Sequence, residues 1–369
     1  MKKKAAHFLL LSELLHSPPN NAIINAYIEQ GYHVDVFTPG NLPKTTRYGR
    51  DVTLVPAEYS WIWILKNLIR KRWLFYRFVS GTSEDPLCIV GLISSIYRKI
   101  SICLVDEIKS GSYRGDRSNV WKALCKSAIR NSHLRIVNDE SRIELLRQYI
   151  GLESKDAIIV YPGCYYQRPE RSTSKRKEHR ESWGFNNDEF VIGSSGGFNM
   201  TSGADWLVEY IQDDKEVRSV IQPLGVSPLS LFLLNTLECS DRIYIQEKRM
   251  DWHEAWESAQ GLDAGICIYM NQAPQFQNMG ISSNRLCMFI AMGVPVIALK
   301  QKSFNFIEQY ECGILVENYE EFKTAVKYIK HNLVDMRTNC EQCYRGYIKS
   351  DERYRTLSRW VNHLGTKRL

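Results

Sequence analysis

Short apolar runs of strand length alternate with helix-length segments along almost the whole chain, and this rhythm limits the folds open to it. A run such as Ile102–Val105 has no polar side, so it suits a strand covered on both faces. Strands separated by helix-length crossovers pair in parallel. In the first half the strand-like runs are Ala6–Leu11, His33–Thr38, Val52–Pro56, Cys88–Leu92, Ile102–Val105, Leu134–Val137 and Ala157–Tyr161. Residues 16–21 read as a turn. Helices are expected over 22–30, closed by Gly31, over 119–132 and over 140–150.

Residues 168–181 hold no large apolar side chain and read as a solvated loop near a domain boundary. A second series follows, with strands at Phe190–Ser194, Ser219–Pro223, Arg242–Gln246, Leu262–Ile268, Val294–Leu299 and Gly313–Glu317, and a helical end over about 335–366. The expected fold class is α/β, with two doubly wound Rossmann-like domains facing a cleft. The expected division is 1–165, 166–350, and a C-terminal helix, 351–369, packing back toward the first domain. Ligands in such folds bind beyond the carboxyl ends of the strands.

Apolar residues make up 44 % of the 369 and charged residues 24 %, an ordinary globular balance that excludes disordered and fibrous classes. No apolar run approaches the ~20 residues of a spanning helix. The basic, apolar start resembles a signal peptide, but Glu13 and His16 follow without a cleavage pattern, so a first buried strand is the better reading. A net charge of +7 suits anionic small partners and does not by itself imply nucleic acid. The ten cysteines are scattered, and only Cys340 and Cys343 have CxxC spacing, which reads as two helical residues one turn apart rather than a metal site. This usage favours a reducing, cytoplasmic compartment.

The strongest motif is Ile281-Ser-Ser-Asn-Arg-Leu-Cys-Met-Phe-Ile-Ala-Met-Gly-Val-Pro-Val-Ile-Ala298. Ser282 and Ser283 can cap a helix starting near Asn284. The free N–H groups of that start suit a phosphate, and Arg285 adds a permanent charge. An ordinary capped helix is the bland alternative. This segment resembles the S-P-N-K-L-F-E-Y-M-A-A-G-x-P-V-I stretch of group 4-like GT-B glycosyltransferases, with Arg285 in place of the Lys. Pro18–Pro39 is similar to that family's opening, where a diglycine loop and helix lead into G-H-x-V-x-V-x-T-P. Gly193–Asp205 resembles its G-R-x-x-x-x-K-G-x-D loop, and Val160–Gly163 its V-x-P-N-G stretch.

The resemblance implies an acceptor-binding first domain and a nucleotide-sugar-binding second domain. It implies donor contacts at Gly196, Gly197, Asn199, Gln246, Ser282, Ser283, Asn284 and Arg285. The sequence departs from the family in charge. The Arg and Lys that usually hold the diphosphate align with Gly197 and Ser202, and the Glu-x7-Glu pair with Gly280 and Met288. Lys248 and Arg249, after the strand ending at Gln246, are candidate substitutes, or a solvated turn. The family's diglycine is Asn20-Asn21 here, an expected acceptor-side loop.

Asp106 and Glu107 end a strand of the first domain, where a carboxylate could deprotonate an acceptor hydroxyl or simply be solvated. Asp139-Glu140 reads as a helix cap. His16 follows the first strand, as a buried hydrogen-bonded histidine or a catalytic one. Residues 61–79 hold five basic residues, six aromatics and no acid, and suit an anionic bilayer surface. The alternative is an amphipathic helix packed on the sheet through Ile62, Leu65 and Ile69.

The expected function is glycosyl transfer from a nucleotide sugar to a hydroxyl of a surface glycan, such as lipopolysaccharide or capsule. The chain contains no DxD, consistent with a metal-independent reaction, and the resemblance implies a retaining one. No cofactor, metal or nucleic acid is expected. The expected partners are the donor, a glycan or lipid-linked acceptor, and an anionic membrane touched through 61–79, at its cytoplasmic face. The alternative is a non-catalytic nucleotide- or sugar-binding relative in a glycan-assembly complex, motivated by the missing carboxylates. An epimerase on the same fold is a third class.

Overall fold

The computed structural model describes residues 3–10, 14, 16–40, 42, 48–69, 71–106, 119–151, 157–223, 240–246, 250–271 and 273–367. Two compact units result: Met1–Tyr166 with Ser350–Leu369, and Gln167–Lys349. The first is built on β1 (Lys3–Phe8), β2 (Tyr32–Thr38), β3 (Val52–Pro56), β4 (Tyr76–Thr82), β5 (Ile100–Val105), β6 (Leu134–Val137) and β7 (Ile158–Val160). They pair in the order β3-β2-β1-β4-β5-β6-β7, all parallel, with Ala5 opposite Val34 and Ile102 opposite Leu134. Strand order reverses direction between β1 and β4, which opens a crevice at their carboxyl ends. Val34, Ile102 and Leu134 are fully buried beneath the helices Pro18–Glu29 and Ser350–Thr366.

Several expectations are corrected here. Cys88–Leu92 is no strand; it lies inside the helix Glu84–Tyr97. That helix is buried along Pro86–Val90, so an apolar stretch of it mimics a strand. The 61–79 segment is not one helix. It is a helix at Trp61–Leu68, a 3-10 turn at Lys71–Phe75, and then the central strand β4. Ile62, Leu65 and Ile69 are exposed rather than core, whereas Trp73 is fully buried. Asn20 and Asn21 lie not in a loop but in the first turns of the helix Pro18–Glu29, which begins within the expected turn and is capped by Ser17.

The second unit carries β8 (Phe190–Gly196), β9 (Val217–Pro223), β10 (Ile243–Ile245), β11 (Ala264–Cys267), β12 (Val296–Leu299) and β13 (Gly313–Val316). Their order is β10-β9-β8-β11-β12-β13, again all parallel, with Ile192 opposite Ser219 and Ile266 opposite Ile297. The reversal falls between β8 and β11.

The expected loop over 168–181 is a helix from Thr173 to Ser182. Its polarity conceals a buried guanidinium, because Arg180 is 0 % exposed. Arg180 donates to the carbonyls of Gly261 (2.9 Å), Asn187 (2.8 Å) and Glu189 (2.7 Å), and pairs with Asp263. A desolvated charge is tolerable only with such full pairing. All nine described cysteines are buried and free, Cys340 and Cys343 within the helix Tyr319–Cys343.

In the first unit His7, fully buried on β1, accepts or donates through Nδ1 to Ser80 Oγ (2.8 Å) and through Nε2 to Asn20 Oδ1 (2.9 Å). Burial lowers its pKa from 6.5 to about 4, against the Asn20 hydrogen bond. Between these values the unfolded chain binds a proton that the folded chain refuses. Stability therefore falls as pH drops from 6.5 toward 4, by about 3 kcal/mol for this group, and is unaffected above that window. Urea midpoints measured across pH 4–7 should fall more steeply for the wild type than for His7→Gln. Equal slopes would mean that His7 is protonated without penalty.

Candidate functional site

The carboxyl edge of the second sheet gathers most of the described donor candidates at the reversal between β8 and β11. β8 ends at Gly196, whose φ of +91° turns the chain away from the sheet. Gly197 follows, exposed. The turn is closed internally: Asn199 N donates to Ser202 Oγ (3.0 Å), Ser202 Oγ to Asn199 O (2.7 Å), and Thr201 Oγ1 to Asn199 Oδ1 (2.7 Å). Gly203, at φ +75°, lets this turn press on β11's continuation, since a Cβ there would lie 2.8 Å from Ile268 Cγ1. Met270 N donates to Thr201 O across the reversal at 2.9 Å. Ser202 is therefore a turn-closing residue, buried and engaged.

The helix Asn284–Ala291 begins beside it. Ser283 is its cap, accepting from Leu286 N at 3.2 Å. Ser282 does not share that task; its hydroxyl donates back to Met279 O. Two backbone N–H groups anchor the approach: Met279 N donates to Gln301 Oε1 (3.1 Å) and Gly280 N to Ser303 Oγ (3.1 Å). Helix residues Leu286 to Ala291 are all buried, Met288 included. The helix sits tight against β11 because Gly265 leaves room for the Phe289 ring. Asn284 is exposed at the helix start.

Tyr269, two residues beyond β11, joins these parts, and no sequence motif marks it. Its hydroxyl lies 2.5 Å from Ser283 Oγ and accepts from Arg285 Nε at 3.0 Å. The Arg285 guanidinium also stacks over the Tyr269 ring, 4.6 Å from its centroid. Burial raises the Tyr269 pKa, so the phenol stays protonated and shares a hydroxyl–hydroxyl hydrogen bond with Ser283. Arg285 Nη1 is buried and meets no hydrogen-bond acceptor. A cation at a helix N-terminus with an unsatisfied donor has the chemistry to accept an anionic oxygen.

Gln246 lies at the end of β10, two strands from β8, its backbone N–H on Ile221 O at 2.9 Å and its Oε1 within 3.3 Å of Tyr244 OH. Lys248, Arg249 and Glu107 lie outside the described residues. In the first unit Asp106 follows β5, half-buried, with its carbonyl accepting from Arg142 Nη1. Asp139 Oδ1 accepts from Ser141 N at 2.8 Å, and Glu140 pairs with Arg353 at 3.1 Å. His16 is half-buried after β1. Asn20 and Asn21 are consumed by packing: Asn20 holds His7, and Asn21 Nδ2 donates to Ser17 O at 2.8 Å. Among the described residues no group of three or more His, Cys, Asp or Glu side chains is placed to hold a metal ion. No helix among them is long and apolar enough to cross a membrane.

No protein-family model matches this chain, and no curated relative does. Solved structures do. A glycosyltransferase from Rickettsia africae aligns at 14% identity over 99% of this chain and 98% of that one, with a TM-score of 0.73. HepE from Anabaena, solved with UDP, aligns at 14% identity over 97% of this chain and 98% of that one, with a TM-score of 0.70. WaaG, a glycosyltransferase of lipopolysaccharide biosynthesis, aligns at 15% identity over 98% of this chain and 100% of that one, with a TM-score of 0.66. The fold is that of the GT-B glycosyltransferases, and at these identities the likeness speaks for the fold.

Proposed function

We propose that the chain is a glycosyltransferase that moves a sugar from a nucleotide-sugar donor to a hydroxyl of a surface-glycan acceptor. The observation that carries this reading is the Arg285 guanidinium, clamped by Tyr269 at a helix start, with Nη1 buried and unsatisfied at the reversal of a parallel sheet. That arrangement suits a diphosphate leaving group, whose developing charge must be met by fixed dipoles and cations. Gly196 and Gly197 leave the backbone beside it open to a close approach. HepE, of the same fold, is solved with UDP and with UDP-glucose, which favours a uridine donor as the first probe.

In this reading the leaving group is stabilised without a metal, and the reaction is retaining, as in group 4-like enzymes. Asp106 and Glu107, with His16, serve the acceptor hydroxyl in the first unit. The acceptor is a lipopolysaccharide, capsular or similar glycan, met at the cytoplasmic face of a membrane. WaaG, which acts in lipopolysaccharide biosynthesis, lends this acceptor class its support.

Turnover with a panel of nucleotide sugars tests the reading. Release of free nucleotide from one donor, or transfer to a glycan, is the expected result. Asp106→Asn and Glu107→Gln, made separately, should each be assayed for transfer; full activity in both would make these carboxylates structural. Tight nucleotide binding with no turnover of any donor would instead favour a binding subunit of a glycan-assembly complex.

A further inference from the structure

Where β3 ends, at Val55 and Pro56, the outer edge of the first sheet borders a cavity of about 450 Å³. One face of the helix Trp61–Leu68 forms its other wall, since Trp63, Lys66 and Asn67 stand at i, i+3 and i+4. Glu58, in the connection, lines it too. The Trp63 ring is half-exposed yet fixed. Ser60 Oγ accepts from Trp63 N at 3.2 Å, and the ring meets those of Phe37 (6.4 Å) and Tyr59 (6.2 Å) edge to face. Tyr59 is itself pinned: it is buried, and its hydroxyl donates to the carbonyls of Leu9 (2.9 Å) and Phe37 (2.5 Å). Its φ of +46° is one that a bulky side chain rarely takes, and it persists only where the surroundings enforce it.

The polar groups are set for hydroxyls. Asn67 is 6 % exposed, and its Nδ2 donates to Trp63 O at 2.7 Å. That bond fixes the amide, and Oδ1 remains as an acceptor for the cavity. Glu58 and Lys66 are exposed, and neither forms an ion pair with a described residue. Arg72 lines the cavity as well, but its guanidinium lies over the rings of Trp73 (4.6 Å) and Phe37 (5.0 Å). One carboxylate and one ammonium thus balance, so the lining favours neither an anion nor a cation. Covering its polar groups with an acyl chain would leave them unsatisfied. A pyranose ring suits it: the C–H face covers the indole, and hydroxyls, each both donor and acceptor, meet the polar groups. The volume falls within the range of small-molecule sites.

We infer that this cavity is a second carbohydrate subsite, which takes one uncharged hexopyranose unit of an oligosaccharide. Trp63 stacks on the ring, Glu58 and Asn67 Oδ1 accept from its hydroxyls, and Lys66 donates. β3 lies four strands from β5, which leads to Asp106, or about 19 Å across the sheet at ~4.8 Å per strand. The unit bound here is therefore not the reacting one but one farther along the chain. Sugar binding stands on the lining alone; that the sugar belongs to the acceptor rests on the transferase reading.

Titration calorimetry of the full chain with neutral hexasaccharides of glucose, galactose, mannose and N-acetylglucosamine tests this, with hexagalacturonate as the anionic comparison. At least one neutral probe should bind, and more tightly than hexagalacturonate. Trp63→Ala should weaken that binding about tenfold, and Trp63→Phe should keep most of it. Glu58→Gln, at an exposed position, should weaken it about three- to tenfold. Urea midpoints report the fold of each variant, and if Trp63→Ala does not fold, Glu58→Gln decides. Binding of no neutral probe, tighter binding of hexagalacturonate, or affinity unchanged in Glu58→Gln overturns the subsite. UDP is titrated separately. A chain that binds UDP but no glycan loses the subsite and keeps the donor reading; one that binds glycan but not UDP keeps the subsite and loses the donor reading. In transfer assays Glu58→Gln should raise KM for a hexasaccharide acceptor several-fold and leave kcat as it was; a fall in kcat alone overturns the remote position of the bound unit.

Discussion

Asp263→Ala is expected to lower the stability of the second unit by about 3–5 kcal/mol, because it strands buried cations. Asp263 is 2 % exposed and faces three guanidiniums: Arg176 at 2.6 Å, Arg337 at 2.9 Å, and Arg180. Its Oδ2 also accepts from Val191 N at 2.9 Å, so the carboxylate ties β8 to the segment entering β11. Arg180 cannot escape to water, since it is fully buried under backbone carbonyls. Arg337 differs. Burial, then repulsion from Arg176, pulls its pKa down to about 10, so one positive charge in this cluster is poorly accommodated. Arg337→Met should therefore cost about 1 kcal/mol or less. Urea unfolding followed by the fluorescence of Trp183, which packs on Gly261 beside Arg180, reads both changes. A loss below about 1 kcal/mol for Asp263→Ala would mean that water already reaches the cluster.

Arg285→Ala should weaken UDP or donor binding by about 1–3 kcal/mol, roughly 5- to 150-fold, through loss of a charge-assisted hydrogen bond. Arg285→Lys should not restore it. A lysine carries charge but neither stacks on the Tyr269 ring nor keeps one N–H on its hydroxyl while offering another. Tyr269→Phe keeps the ring and removes the link to Ser283 and Arg285, so about 0.5–1.5 kcal/mol should be lost. The two changes share one contact and should be less than additive in a double-mutant cycle. Titration calorimetry decides: unchanged affinity in Arg285→Ala removes the donor phosphate from this helix start.

The parallel strands were legible because a strand covered on both faces is an unbroken apolar run, as at Ile102–Val105 and Val296–Leu299. The same reasoning erred at Cys88–Leu92, where a buried helix shows no polar stripe over so short a window. β4 went unseen because its first residues, Tyr76–Val79, continue the aromatic and basic composition of the preceding helix and 3-10 turn. The polar helix Thr173–Ser182 read as loop because its one buried anchor is an arginine, and only the fold reveals Asp263 opposite it. In the candidate site, the glycine turn and the capped helix were visible as local patterns. Tyr269 was not, since its importance comes from the crossover that brings residue 269 against 283 and 285.

The closing helix Ser350–Thr366 belongs to the unit that the chain began with. Leu357, Val361 and Leu364 are buried with Ala22, Ile23 and Tyr27, Tyr354 stacks on Tyr166 at 3.7 Å, and Arg77 holds the carbonyls at the helix end. The order of manufacture follows from this. A ribosome delivers residues 167–349 as one uninterrupted unit, while the unit begun first still lacks a wall. During synthesis the second-made half can complete itself first, and the earlier half waits, with part of its apolar interior open, until residues 350–366 have been made. Loss of this seventeen-residue helix, by a stop codon or a protease, would thus injure the amino-terminal half and spare the half to which it is joined.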